Sequence, residues 1–245
     1  RKRGLKRLFD RVWGREMLLK AGSVIGETQV GIDEYLAVES KIPEERLAVL
    51  SPPFDVEPFI ELPPRGPFRN EFGIAAEAPM ICFLGRIHPI KGNDFLMRGF
   101  AEFAKQRTDA KLVFIGPDDG HQAELEILSQ TLGVEDKIVW AGFRSGDDKI
   151  QALVDSDVVA QMSRQEQGAW APFEGILCRV PIIVTGHTGA GEDVKRLNAG
   201  ETVELDNVPE LAGCLEKLIS EREPSMANTL RVRQVIIEEL SFRSR

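Results

Sequence analysis

From residue 80 onward, short apolar segments alternate with segments of helical periodicity. The apolar segments at 80–84, 111–115, 138–141, 158–162 and 182–184 lack the polar–apolar alternation of a half-exposed strand. Helices are predicted at 94–106, 123–132, 149–154 and 172–177, followed by a short helix near Asp193 and closing helices near Leu211 and Val232. Apolar strands separated by helices predict an α/β protein with a doubly wound parallel sheet covered on both faces.

The topology of such a sheet indicates where a ligand would bind. Ligands of doubly wound sheets lie beyond the carboxyl ends of the strands. The loops that follow residues 84, 115, 141, 162 and 184 are therefore the places to search for chemistry, and each of them reaches a glycine.

The first fifty residues predict fewer elements than a complete domain needs. Spacings of three and four predict a helix over residues 5–18, with an apolar stripe formed by Leu5, Leu8, Phe9, Val12, Trp13 and Met17. A strand through Val24 and Ile25, a helix over 32–38 and a strand over 47–50 follow. Two strands and two helices would leave a sheet edge and much apolar surface exposed. We therefore expect residues 1–52 to be the terminal part of a domain whose beginning is absent.

A proline-rich segment follows this part of the chain. Six prolines lie between Ser51 and Pro67, and proline disfavours both helix interiors and central strands. We predict an interdomain linker at residues 53–67 and a second domain at residues 68–245.

Composition excludes several functional classes. The net charge of -8 argues against a nucleic-acid-binding surface, so any phosphate site must be local. Cys82, Cys178 and Cys214 lie in apolar runs, which favours buried thiols and a cytoplasmic location. No apolar run approaches the roughly 20 residues of a membrane span. The basic run from Arg1 to Arg7 leaves open either a solvated helix face or a peripheral contact with the inner face of the membrane.

The loop after the first predicted strand of the sheet carries two cations between glycines. Gly85 and Gly92 allow close approach of the backbone to a ligand, and Arg86 and Lys91 lie between them. An arginine engages two phosphate oxygens while a lysine supplies a point charge. The loop is equally compatible with a surface turn whose two cations are solvated.

The loop after the fourth predicted strand carries two carboxylates eight positions apart. Glu166 lies in the loop, close to Gly168, and Glu174 lies inside the following predicted helix. Carboxylates accept hydrogen bonds from sugar or ribose hydroxyls, and helix N-terminal amides bind phosphate. A solvated Glu166 and a helix-favouring Glu174 would explain the same residues without a ligand.

The order of these motifs is more specific than any one of them. Gly85-Arg86-x4-Lys91-Gly92 follows the first strand, Glu166-x7-Glu174 the fourth, and Thr188-Gly189-Ala190-Gly191-Glu192 the fifth, which is entered by Cys178-Arg179-Val180-Pro181. This order resembles the retaining GT-B glycosyltransferases of group 1, or family 4, which include mannosyl- and glucosyltransferases of cell-envelope glycans. The resemblance covers nearly the whole chain. It implies a Rossmann-like C-terminal domain preceded by an incomplete N-terminal α/β segment.

The resemblance implies a role for each matching residue. Arg86 and Lys91 would bind the donor diphosphate, Glu166 would face the transferred sugar, and these three would form the catalytic set. Glu174 would hold the ribose hydroxyls. Further donor-binding positions in the matching segments are Gly85, Gly116, Phe143, Gly168, Thr188 and Gly189; the loop with Phe143 usually flanks the nucleobase.

The implied reaction is transfer of a hexose from a UDP- or GDP-linked sugar to a glycan, lipid or small-molecule acceptor. No metal, cofactor or protein nucleophile is expected, and the missing N-terminal domain would be a partner. A nucleotide-sugar epimerase of the same fold and a non-catalytic nucleotide-sugar-binding module remain alternatives. The chain departs from the family at Ala169-Trp170, where Phe-Gly is common, at Arg179, where glycine is usual, and at Pro52-Pro53, which replace Asn-Gly.

Two other patterns are weaker candidates for chemistry. Asp155-Ser156-Asp157 has the form of a metal-binding D-x-D motif, but it precedes the fourth predicted strand and so lies at the wrong end of the sheet. His88, His121 and His187 lack the spacing of zinc ligands.

Overall fold

The computed structural model describes residue 4 and residues 9–50, 53, 55–168 and 170–239. The predicted helix residues 5–8, most of the basic run at the start, Pro52 and Ala169 lie outside the described residues.

A six-stranded parallel sheet forms the centre of the molecule. Its strands are β3 (Met80–Leu84), β4 (Lys111–Ile115), β5 (Ile138–Gly142), β6 (Val158–Gln161), β7 (Ile182–Thr185) and β8 (Glu201–Val203). Their spatial order is β5-β4-β3-β6-β7-β8, and every neighbouring pair is parallel. The predicted α/β fold with a doubly wound, Rossmann-like parallel sheet is therefore confirmed.

Helices cover both faces of this sheet. They are α3 (Pro67–Glu71), α4 (Asn93–Phe103), α5 (Gln122–Leu132), α6 (Gly146–Val154), α7 (Trp170–Leu177), α8 (Gly189–Leu197), α9 (Val208–Ser220) and α10 (Arg222–Glu239). The side chains of β3 divide between two apolar clusters: Met80 and Cys82 pack with α7 and α10, whereas Ile81 and Phe83 pack with α4 and α9. All four side chains are fully buried, which explains why the strand shows no polar alternation.

The structure adds one strand to the five that the apolar pattern predicts. Strand β8 pairs with β7 at the edge of the sheet, with Val184 opposite Thr202. Helix α8 is also longer than the short helix predicted near Asp193. Both differences lie at the carboxyl side of β7, where the residues are mostly polar.

The N-terminal segment forms a second, smaller sheet. It begins with a π-helical turn (Asp10–Gly14) and continues through α1 (Arg15–Lys20), β1 (Val24–Gly26), α2 (Gln29–Val38) and β2 (Leu47–Val49). Strands β1 and β2 pair in parallel. The predicted apolar stripe of the first helix is exposed: Trp13 retains 56% of its accessible surface and Met17 63%. None of the residues that the structure describes covers this face.

The proline-rich segment packs against the larger sheet. Val56 and Phe59 are buried in the same cluster as Met80. A 3₁₀ turn at Glu57–Phe59 includes Pro58, and α3 begins at Pro67, because proline is tolerated in the first turn of a helix, where no backbone donor is needed. In the part of the chain described here, no helix is both long enough and apolar enough to cross a membrane.

Candidate active site

The strand order reverses beside β3, and this reversal places two of the predicted motifs together. Strands β4 and β5 lie on one side of β3, whereas β6, β7 and β8 lie on the other. The loops after β3 and β6 therefore leave the sheet in opposite directions and open a crevice at its carboxyl edge. The first loop carries Lys91 and the second carries Glu166, so the two motifs meet at the switch point of the sheet.

Glycines bring the loops after β3 and β4 into contact. Gly85 donates its amide to the carbonyl of Ile115 over 2.9 Å. Gly116 has φ +146°, and a β-carbon there would lie 1.9 Å from the carbonyl oxygen of Gly85. Only glycine fits at residue 116, because the clashing atom belongs to the backbone.

A tight turn positions Lys91. His88 Nδ1 accepts a hydrogen bond from the amide of Ile90 over 3.1 Å, and Pro89–Lys91 form a 3₁₀ turn. Gly92 ends the turn in the left-handed conformation, with φ +62°, and a β-carbon there would lie 1.9 Å from the carbonyl oxygen of Met162. Gly92 therefore allows the turn to pack directly on the loop after β6.

Lys91 and Glu166 form an ion pair that is largely removed from solvent. Lys91 Nζ donates to Glu166 Oε2, and the two side chains are only 17% and 16% exposed. The same oxygen accepts hydrogen bonds from Gln161 Nε2 at 3.1 Å and from Ser163 Oγ at 3.3 Å. Three donors thus share one carboxylate oxygen and fix its orientation. The second carboxylate oxygen, Oε1, has no hydrogen-bond partner among the described residues and can accept a hydrogen bond from a hydroxyl group of a ligand.

Arg86 lies in the same loop but is differently placed. Its guanidinium donates to Asp119, and the two side chains are 62% and 43% exposed. An exposed ion pair contributes little stability, so a phosphate can compete for this guanidinium at small cost. Phe143 follows β5 and is 70% exposed, so its ring is free to stack on a planar ligand.

The amino end of α8 holds the loop that carries Glu166. Gly189 donates its amide to the carbonyl of Glu166 over 2.8 Å. A β-carbon at Gly189 would lie 1.6 Å from the carbonyl oxygen of Gln167. Thr188 caps the helix by accepting a hydrogen bond from the amide of Gly191 at 3.1 Å and donates to the carbonyl of Thr185 at 2.9 Å. Thr188 and Gly189 therefore contribute geometry to the loop.

The N-terminal segment holds the same loop from the other side. Thr28 Oγ1 donates to the carbonyl of Gln167 over 2.7 Å. The carboxylate of Glu34 accepts hydrogen bonds from Gln165 at 2.7 Å and from Gln167 at 2.6 Å. A β-carbon at Gly168 would lie 2.3 Å from Glu27 Oε2, which shows how closely the two parts approach.

Glu192 of α8 completes this contact at the amino end of α2. Its two oxygens accept hydrogen bonds from the amides of Gln29 at 3.2 Å and Val30 at 3.0 Å. A carboxylate at a helix amino terminus satisfies free amides and complements the helix dipole. The smaller sheet and the Glu166 loop are thus joined through polar contacts at the edge of the crevice.

Glu174 occupies a separate position in α7. Its Oε1 accepts a hydrogen bond from Lys149 Nζ at 2.8 Å, and the two side chains are 18% and 25% exposed. The pair joins α7 to α6, and the second oxygen of Glu174 is not occupied by a described hydrogen-bond donor.

Family comparison supports what this geometry indicates. A model of the family described as "Glycosyl transferases group 1" matches residues 65–233, which is more than half of the chain. The chain belongs to the group 1 glycosyl transferases.

Curated glycosyltransferases are similar to about two thirds of the chain. An uncharacterised glycosyltransferase of Methanocaldococcus jannaschii is 30% identical over 154 residues, which cover 63% of this chain and 39% of that protein. The D-inositol 3-phosphate glycosyltransferase of Kineococcus radiotolerans is 28% identical over 194 residues, which cover 69% of this chain and 43% of that protein. The chain spans about half the length of its curated relatives, or less.

Solved structures agree with the fold of this group 1 glycosyl transferase chain. The Anabaena protein Alr3699/HepE, in complex with UDP and glucose, superposes with a TM-score of 0.83 at 19% identity, covering 98% of this chain and 65% of that one. WaaG, a glycosyltransferase involved in lipopolysaccharide biosynthesis, gives a TM-score of 0.81 at 20% identity, covering 96% and 67%. These neighbours have the GT-B architecture, and at such identities they establish the fold.

The structure brings some predicted site residues of this glycosyl transferase together and leaves others apart. Lys91 and Glu166 form one cluster, with Thr188 and Gly189 behind the Glu166 loop. Gly85 and Gly116 touch each other at the neighbouring strand ends. Arg86, Phe143 and Glu174 stand at separate positions, and among the described residues no hydrogen bond or ion pair joins them to Lys91 or Glu166.

Sequence reasoning missed five residues that shape the site. They are Thr28, Glu34, Lys149, Gln161 and Ser163. A glutamine at the last position of an otherwise apolar strand is the one signal in the sequence that pointed to a polar function for Gln161.

The Asp155-Ser156-Asp157 motif lies at the amino end of β6, opposite the crevice. Asp155 accepts hydrogen bonds from the amides of Gly66 at 2.6 Å and Arg69 at 3.0 Å. Asp157 pairs with Arg65 at 2.6 Å and with Arg69 at 2.8 Å. Both carboxylates thus anchor the segment that leads into α3.

Proposed function

We propose that the chain is the donor-binding part of a retaining glycosyltransferase that transfers a hexose from a nucleoside diphosphate sugar. The observation that carries the proposal is the enclosed Lys91–Glu166 pair at the switch point of the sheet. A cation for a diphosphate and an oriented carboxylate for sugar hydroxyls lie side by side, where a nucleotide sugar presents those two groups next to each other.

The resemblance to retaining glycosyltransferases implies the chemistry assigned to each residue, and the charge and placement of the residues support it. Lys91 and Arg86 stabilise the negative charge that develops on the diphosphate as its bond to the sugar breaks. Glu166 Oε1 accepts a hydrogen bond from a hydroxyl of the sugar. Its Oε2 keeps the hydrogen bonds from Lys91, Gln161 and Ser163. The acceptor oxygen attacks from the face that the diphosphate leaves, so the anomeric configuration is retained without a protein nucleophile.

Glu174 holds the ribose in this proposal, and Phe143 flanks the nucleobase. Lys149 occupies one oxygen of Glu174 and leaves the other for the ribose hydroxyls. Gly85, Gly116 and Gly168 contribute space for the donor close to the backbone. No metal or cofactor takes part.

The names of the relatives bear on the donor and the acceptor. The complex of Alr3699/HepE with UDP and glucose supports a uridine nucleotide and a hexose, although GDP stays within the proposal. The acceptor is a glycan, a lipid or a small molecule, as in the D-inositol 3-phosphate glycosyltransferase of Kineococcus radiotolerans. We place the reaction in the cytoplasm, with a peripheral membrane contact for a lipid-linked acceptor.

The experiment that tests the proposal is calorimetric titration of the chain with UDP, GDP and ADP, first without metal and then with magnesium. Saturable binding of one diphosphate without metal is expected and would identify the base. Addition of the matching nucleotide sugar, followed by product analysis with candidate acceptors, separates transfer from epimerisation. Absence of binding by all three diphosphates, with and without magnesium, would contradict the proposal.

A further inference from the structure

A second cavity opens at the end of the sheet opposite the candidate active site. Its volume is about 410 Å³, and it is lined by residues that immediately precede three strands: Pro79 before β3, Asp157 before β6 and Pro181 before β7. The start of α10 at Arg222 and the end of α9 at Leu218 close it from the side. The cavity is thus separated from Lys91 and Glu166 by the length of the strands, and what it binds is independent of the proposed function.

Arginine side chains dominate the charge of this cavity. Four of them line it: Arg65, Arg107, Arg179 and Arg222. Three carboxylates also line it, Glu77, Asp109 and Asp157, of which the first two lie on exposed residues. Arg107 is also paired with Glu216 outside the lining, so the arginines that can contribute positive charge to the cavity are Arg65, Arg179 and Arg222.

Asp157, the lining carboxylate that is mostly buried, is shared by three arginines. Asp157 accepts hydrogen bonds from Arg65 at 2.6 Å and from the buried Arg69 at 2.8 Å, and it forms an ion pair with Arg222 at 3.5 Å. Asp155 lies beside Arg69 as a second carboxylate, so two carboxylates face three guanidinium groups. Arg65 and Arg222 therefore retain donors for a further anion. Both of these arginines face the cavity.

Arg179 is the clearest unpaired cation of the set. It has φ +64°, a left-handed conformation that costs about 1–2 kcal/mol for a residue with a β-carbon. Across the described ranges of the chain, no side chain forms an ion pair or hydrogen bond with its guanidinium. Arg233 lies close by, and its pKa is lowered chiefly by burial and next by the charge of Arg179. Within the described ranges, the hydrogen-bond partners of Arg233 are neutral carbonyls, those of Leu177 and Phe59.

The remaining walls of the cavity are apolar. They include Leu62, Pro63, Val180, Leu218, Ile219 and Met226. A cavity of this size lies within the range of small-molecule sites, which combine apolar walls with a few convergent polar groups. Guanidinium groups match the geometry of phosphate, because their paired donors engage two oxygens at once.

We propose that this cavity binds a small phosphate monoester that carries an apolar substituent. The phosphate lies between Arg179 and Arg222, where its oxygens receive the donors that the protein leaves unpaired. The apolar substituent packs against Leu62, Val180 and Met226. The site is distinct from the donor crevice and takes no part in binding the diphosphate.

The test uses phenyl phosphate and inorganic phosphate as probes, titrated calorimetrically into the full chain at low ionic strength. We expect saturable binding of phenyl phosphate, at least threefold tighter than inorganic phosphate. The Arg179→Gly variant should bind phenyl phosphate at least tenfold more weakly. Glycine suits φ +64°, so this variant should unfold at the same temperature as the parent protein or a higher one.

Three further variants locate the binding. Arg222→Ala should also bind phenyl phosphate at least tenfold more weakly. Arg196→Ala removes an exposed arginine paired with Asp193 and should leave the affinity for phenyl phosphate unchanged. Lys91→Ala should bind phenyl phosphate as the parent does, because Lys91 belongs to the other end of the sheet. Binding that survives Arg179→Gly and Arg222→Ala, or that is lost with Lys91→Ala, would overturn the proposal. So would the absence of saturable phenyl phosphate binding, and equal affinity for inorganic phosphate would refute the apolar contact.

Discussion

At the scale of single residues, Lys91 carries the largest expected effect on ligand binding. It is the enclosed cation of the crevice, and Glu166 neutralises it in the free protein. A charge-assisted hydrogen bond contributes about 1.5–3 kcal/mol, so Lys91→Ala should weaken binding of the preferred nucleoside diphosphate at least tenfold in calorimetric titrations. Lys105→Ala is the control, because Lys105 forms an exposed pair with Glu102. Equal affinity of Lys91→Ala and the parent protein would remove Lys91 from the diphosphate site.

Gly92 and Gly133 separate two reasons why a turn requires glycine. Their φ values are +62° and +66°, but only Gly92 has a neighbour that a β-carbon would meet, the carbonyl oxygen of Met162 at 1.9 Å. Gly133→Ala should cost about 1 kcal/mol for the left-handed conformation alone. Gly92→Ala should cost at least about 2 kcal/mol more, because a backbone atom has to move.

The measurement for this pair is chemical denaturation of both variants beside the parent protein. The difference between the two free energies of unfolding isolates the clash from the conformational cost. Similar losses in both variants would show that the loop after β6 yields easily, and that Gly92 is needed for its φ value alone.

The residues around Glu166 show how much of the site the sequence motifs predict. The family resemblance implies that Lys91 and Glu166 share a site, and the structure places them in contact. Gln161 and Ser163 were not predicted, since their role depends on which way the Glu166 side chain turns. The contact between Glu34 and Gln167 joins residues 133 positions apart, and no local pattern in the chain encodes it.

At the scale of elements, burial decides which strands the sequence reveals. Strands β3, β4 and β6 begin at the predicted residues because they are continuous apolar runs between helices. Strand β8 has three residues, Glu201, Thr202 and Val203, of which only the last is buried. It is a strand because β7 offers backbone partners at the sheet edge, and pairing of that kind leaves no apolar signature.

The amino end of helix α2 is capped by a carboxylate of α8, a helix that packs on the larger sheet. Glu192 accepts hydrogen bonds from the amides of Gln29 and Val30. These amides lie in the first turn, where backbone donors have no partner within the helix. Loss of such a cap costs about 1 kcal/mol, so Glu192→Ala should speed amide hydrogen exchange in α2 roughly fivefold, with no change in α4. Glu16→Ala serves as the control, because Glu16 forms only an exposed pair with Lys20. Thr28 Oγ1 also caps α2 by accepting the amide of Gly31 at 3.4 Å, and unchanged exchange in α2 would show that this cap is sufficient.

At the scale of the whole molecule, the contacts of Thr28, Glu34 and Glu192 make the smaller sheet part of the crevice wall. A ligand that orders the Glu166 loop should therefore also order α2, although none of the residues proposed to bind the donor lies in α2. Ligand that binds only the folded state raises its stability by about 2.7 kcal/mol at one hundred times the dissociation constant.

We expect saturating UDP, or whichever diphosphate binds, to slow hydrogen exchange in three places: residues 85–92, residues 165–168 and α2. Glu192→Ala should keep the protection of the two loops and reduce that of the first turn of α2, because Glu192 links α8 to the α2 amides, whereas Glu34 still contacts the Glu166 loop. Exchange by mass spectrometry with and without ligand resolves the three segments. Protection confined to the loops in the parent protein would mean that the smaller sheet responds independently of the donor site, since the polar contacts would then transmit no order across the crevice.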